Sequence, residues 1–155
     1  MTNDFVVSIY VQLIFVSIAF WEAYVEGDKP WALAQVGWKI KFLKDKPLTA
    51  YHFWVYLVTI PLMLMLPFVI FGFQAHIFWL LLANYFFGLV FEDFLWFVVN
   101  PMWGGLKNFN SEKVYWHRWH RIGKVEIPDF YIYFILISIL ILIGLYNWAR
   151  IISFF

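Results

Sequence analysis

The chain has 155 residues, of which 64% are hydrophobic, 25% aromatic and only 14% charged, and its mean hydropathy is +0.74. That composition excludes a soluble globular domain, and a formal net charge of +1 gives nucleic acid no electrostatic purchase. The chain has no Cys, which excludes disulfides, thiolate metal sites and covalently attached c-type haem.

What remains is an all-α integral membrane protein, predicted as a four-transmembrane-helix bundle. Residues 1–155 form a single polytopic membrane domain, with no room for a separate soluble catalytic module. The first predicted span runs from about Phe5 to Glu26, close to the length that a hydrocarbon layer of ~30 Å demands. It lacks a basic leader and a small-residue cleavage site, so it is read as a permanent helix. Along it, Ser8, Gln12, Phe15, Ala19, Glu22 and Glu26 recur in alternating steps of four and three, a polar stripe expected to face the bundle interior.

The segment from Asp28 to Pro47 opens with an Asp cap and Pro30, then places Trp31, Ala34, Trp38 and Phe42 at helical spacing. It predicts an interfacial amphipathic helix, with Lys39, Lys41 and Lys44 outside the aromatic stripe. The second span, about Thr49 to Phe73, contains Pro61 and Pro67, each expected to bend it, and aligns His52, Tyr56, Thr59 and Met63 on one face. The third runs from His76 to Asn100. Asn84, Gly88 and Glu92 step along one side, and Asp93, Trp96 and Asn100 occupy the adjoining one. Pro101, Gly104 and Gly105 then read as a helix stop and a turn. The fourth span, about residues 130–150, is Ile/Leu-rich and reads as a support facing lipid or another subunit.

Ten of the eleven Lys and Arg residues fall between Lys29 and Lys46 or between Lys107 and Lys124. Basic loops resist translocation, so loops 27–48 and 101–129 are expected on the cytoplasmic side and both termini on the opposite side. Eight of the ten Trp residues map to that same end, and Trp31, Trp38, Lys39, Lys41, Trp116 and Trp119 are the expected interfacial residues.

Glu22, Glu26, His52, Glu92, Asp93, His117 and His120 all map to the basic-loop end, where charge at membrane depth requires a partner, a proton or a metal. If the Tyr115–Arg121 segment is helical, His117 and His120 share a face. Glu22, His52, Glu92, Asp93, His117 and His120 then form a candidate non-haem site for Fe, Mn, Cu or Zn, with Glu92 and Asp93 as catalytic acid/base candidates. The bundle di-iron spacing Glu-x-x-His is absent, four His are too few for the membrane hydroxylase boxes, and haem on His52 and a loop His ranks lower.

These features fit three function classes. The first is a metal-dependent oxidoreductase or hydrolase acting on a lipid-soluble substrate that enters between spans. The second is a non-catalytic accessory or assembly subunit of a larger membrane complex or homo-oligomer, in which Glu92 and Asp93 pair with Arg118, Arg121, Lys113 or Lys124. The third, a proton or cation channel, needs a continuous polar path that the outer halves of the spans do not supply.

Overall fold

The computed structural model describes residues 3–29, 36–40, 47–123 and 125–152, with side chains described as far as Asn147. The described chain is mostly helical. Four of its helices are long and apolar enough to cross a membrane: Asp4–Glu26, Ala50–Phe71, Ala75–Val99 and Asp129–Asn147, the last continuing to Ile152. These are the first to fourth spans, within one or two residues of the sequence expectation at most ends.

The third span is the hub, packed along the first on one side and the fourth on the other. Gly88 makes the first contact possible, because a Cβ there would lie 2.1 Å from two ring carbons of Phe15, which is fully buried. Small residues let helix backbones approach in this way when lipid supplies no hydrophobic drive between them. One turn away, Asn84 donates to Ser8 Oγ (3.0 Å) and to its own helix at Leu80 O (2.9 Å), and Gln12 donates to Asn84 O (3.1 Å) and Oδ1 (3.2 Å). The polar stripe of the first span therefore does face inward.

The second span is irregular for a reason visible in its sequence. A Pro inside an α-helix clashes with the carbonyl four residues earlier and lacks a donor. Here the residues before Pro61, Phe53–Thr59, form a π-helix, and Ile60 N donates to Val55 O rather than to Tyr56 O. Pro61 has no N–H to offer Tyr56 O in the wider turn. The orphaned carbonyl instead accepts from the Tyr85 hydroxyl of the third span at 2.7 Å. Pro61 thus acts by widening the helix, and the irregular turn is tied to the hub.

The loops differ from expectation. Of the predicted interfacial helix, Trp38 and Lys39 are described and are not helical: β1 (Lys39–Ile40) pairs antiparallel with β2 (Leu48–Thr49), and Ala50 N donates to Trp38 O at 2.8 Å. The cause lies at Gly37, whose φ of 90° ends helical geometry and whose missing Cβ admits the Ala50 side chain. Trp31, Ala34, Lys41, Phe42 and Lys44 lie outside the described residues. The second basic loop turns through Pro101–Gly104, as expected, then ends in a hairpin of β3 (Trp119–Ile122) and β4 (Val125–Pro128), register Ile122↔Val125, feeding directly into the fourth span. The Trp-His segment is therefore a turn and a strand rather than a helix.

Gly88→Ala should separate the first and third spans and destabilise the bundle by about 1–3 kcal/mol, the usual cost of overpacking. Adding Phe15→Leu should restore part of the loss. Thermal unfolding of the detergent-purified variants measures this, and an unchanged Gly88→Ala would refute the close packing.

Candidate functional site

At the basic-loop end, between the first and third spans, lies a small chamber of about 40 Å³ lined by Glu22, Glu26, Glu92, Asp93, Trp96, Phe97 and Trp116. Helical spacing brings the acids together. Glu22 is one turn from the end of the first span, and Glu92 is two turns from the end of the third. The Glu22 carboxyl accepts from the Tyr56 hydroxyl at 2.9 Å and adjoins the carboxyl of Glu92. All three are held by packing: Glu22 and Glu92 are buried, and the Tyr56 ring stacks on His52 and meets Tyr51 edge-on.

Two polar atoms of this chamber lack a partner, Glu92 Oε1, an acceptor, and Trp96 Nε1, a donor. The residues carrying them are 4% and 5% exposed. A buried polar group left unsatisfied costs roughly 1–3 kcal/mol, and more if charged.

Asp93, which also lines the chamber, is engaged by other side chains. Its Oδ2 accepts from the Tyr131 hydroxyl of the fourth span at 2.6 Å and lies 3.2 Å from His117 Nε2. His120 Nε2 lies 3.4 Å from Asp129 Oδ1, and His52 Nδ1 lies 2.6 Å from the Thr49 hydroxyl of its own segment. The six expected metal ligands are thus distributed: Glu22 and Glu92 meet, Asp93 takes His117, and His120 and His52 go to separate places. Among the described residues no group of three His, Asp or Glu side chains is placed to hold a metal ion. The i,i+3 histidines fail to converge because alternate geometry in the turn and strand sends them apart.

Of the loop cations expected beside Glu92 and Asp93, Arg121 binds Glu126 across the hairpin and Lys124 lies outside the described residues, while the loop residue that lies against Asp93 is His117. The Arg121 guanidinium, helped by the Ser111 backbone N–H at 2.9 Å, holds the Glu126 carboxyl down at about 2, while Glu126 raises Arg121. A carboxylate held below its ordinary range stabilises the fold above that range, so this brace persists at neutral pH and is lost as pH falls toward 2. Of the expected interfacial aromatics, Trp38 is exposed, whereas Trp116 and Trp119 are built into an aromatic cluster with Phe97, Trp103 and Phe109 beneath the third span. Trp119 Nε1 donates to Val114 O at 2.9 Å.

At the opposite end a cluster went unseen in the sequence. His76 Nε2 meets both Asp4 oxygens, at 3.0 and 2.9 Å, and the Tyr146 hydroxyl donates to Asp4 Oδ2 at 3.2 Å. It joins the first, third and fourth spans at their outer ends. Only the presence of one acid and one imidazole at matching predicted depth hinted at it.

No protein-family model, curated protein or solved structure matches this chain.

His117→Ala should release the docked loop. Limited trypsin digestion of the purified protein should then cut after Lys113 and Arg118 several-fold faster than in the parent, and Asp93→Asn should do the same. Unchanged cleavage in both variants would show that the loop is held by its aromatic cluster alone.

Proposed function

We propose that the chain is an integral membrane protein, basic loops toward the cytoplasm, whose carboxyl chamber binds a small cation entering from that side. The observation that carries this reading is the chamber's inventory among the described residues: four carboxyl-bearing residues line it, no Lys, Arg or His does, and Glu92 Oε1 lacks a partner. Carboxyl groups gathered at membrane depth require a counter-charge or a shared proton, and for the adjoining Glu22 and Glu92 the described lining residues supply no cation. The lipid bilayer is the partner that the four apolar helices and their exposed Leu, Ile and Phe side chains fit.

The chamber is blind-ended. From Gln12 to Glu22 the first span rises about 15 Å, and over that stretch Phe15 and Ala19 are fully buried against the hub. Phe15 on Gly88 closes the way between the acids and the Ser8–Gln12–Asn84 group. This favours a binding or catalytic site over a conducting path. The metal-dependent enzyme reading stays within the proposal only in a narrowed form. Oxygen donors without imidazole suit Mg²⁺, Ca²⁺ or Mn²⁺ more than Cu or Zn, and the lack of a third converging acid among the described residues disfavours all of them.

The test is a thermal-shift panel of chloride salts (ammonium, methylammonium, potassium, magnesium, manganese, zinc) at matched ionic strength. At least one cation should raise the melting temperature of the parent and leave Glu92→Gln unmoved, since a ligand stabilises only the state that binds it. If every salt acts equally on both proteins, the chamber is not a cation site.

A further inference from the structure

At the end of the bundle that bears the N-terminus, the first, second and third spans enclose a second cavity, of about 330 Å³. Resting on the reading of the chain as an integral membrane protein, we infer that this cavity takes one hydrocarbon chain of a bilayer lipid, entering sideways between the first and second spans.

The cavity is built into the fold. The backbone of the second span packs on neither the first nor the third as closely as those two pack on each other. Phe68, Phe73 and Phe78 meet ring to ring, with centroids 5.4 to 6.3 Å apart, and prop the second span off the third at the turn between them. The floor is Leu64, Ile77 and Leu81, members of the buried core. The lips are exposed: Val6 and Tyr10 on the first span, Met63 and Phe71 on the second. The mouth is therefore continuous with the apolar face that the second span exposes at Leu62, Leu66 and Val69, which is the face the bilayer covers.

Polarity, size and depth select the occupant. No charged side chain lines the cavity, and Tyr10 and Gln74 alone among its lining side chains are strongly polar, so water has too few partners to fill it. Left empty, a space of this size would deprive its lining of the contacts of a packed interior. At ~30 Å³ for a water-sized group, comparable to a methylene, the volume holds about eleven such groups. That is enough for much of one chain and too little for a peptide helix, which is about 10 Å across. Every lining residue of the three spans lies within eight residues of its span's end, about 12 Å along the axis. The cavity thus occupies most of one leaflet, half of a hydrocarbon layer of ~30 Å, and a lipid of that leaflet reaches it without crossing the other.

The experiment reconstitutes the full chain in phosphatidylcholine vesicles doped with a phosphatidylcholine that carries a mid-chain diazirine, and after illumination locates the adducts by digestion and mass spectrometry. Val7 and Phe68, which are half-buried and line the cavity, should carry adducts beside those on exposed residues such as Leu140 of the fourth span. Val6→Trp and Met63→Trp enlarge the two lips from exposed positions. Each should lower the adducts at Val7 and Phe68 at least fivefold and leave those at Leu140 unchanged. Val69→Trp, exposed and outside the cavity, should match the parent throughout. Adducts at Leu66 and Leu140 with none at Val7 or Phe68 would overturn the inference and leave the membrane reading standing, as would equal yields in the parent and both lip variants. If no span carries an adduct, both fall.

Discussion

An ionisable side chain packed among four long apolar helices must find a partner, and that constraint organises this bundle from end to end. At the end that bears the N-terminus Asp4 is answered by His76 and Tyr146, and at the basic-loop end Asp93 lies against His117 and accepts from Tyr131, and Glu22 accepts from Tyr56. Each of these contacts joins different spans or a span and a loop, so satisfying the charge also fixes the packing. The same logic applies to the backbone. Pro61 strips Tyr56 of its carbonyl partner, and Tyr85 restores one from the hub helix. Against this background Glu92 differs from Asp4, Asp93 and Glu22 in having a buried oxygen, Oε1, with no hydrogen-bond partner.

The third span makes the arrangement possible. Gly88 allows Phe15 to seat against it, which holds the first span close enough for Glu22 and Glu92 to adjoin further along the same interface. The same packing closes the chamber on the outer side. At the basic-loop end Trp116 forms part of its wall, on the loop whose His117 lies against Asp93, so that contact positions the wall of the site.

The four long apolar helices were legible in the sequence from their length and apolarity, and the inward stripe of the first was legible from its spacing of four and three. The cluster of acids at one end was legible too, since topology alone sets which ends coincide. Partner choice was not. Helical periodicity says which residues share a face on one helix, but it cannot say that Asp93 meets His117 across a turn or that Asp4 meets His76 across the bundle. The hairpin was missed although Arg121-Ile122-Gly123 followed by Val125-Glu126-Ile127 carries alternation around a Gly, a signal that the paired histidines overshadowed. Gly37, inside the segment expected to be helical, has a positive φ that helical geometry does not allow.

The cation-binding reading requires that the chamber be reached from the side of the basic loops and from no other, and this can be probed directly because the chain has no native Cys and an introduced one reports alone. Glu22→Cys in sealed, oriented proteoliposomes should react with a membrane-impermeant maleimide added on the face bearing loops 27–48 and 101–129, and remain unreactive from the other face. Reaction from the face bearing the termini would mean that Phe15 and Gly88 do not close the bundle, and the chamber would have to be reinterpreted as part of a path through it.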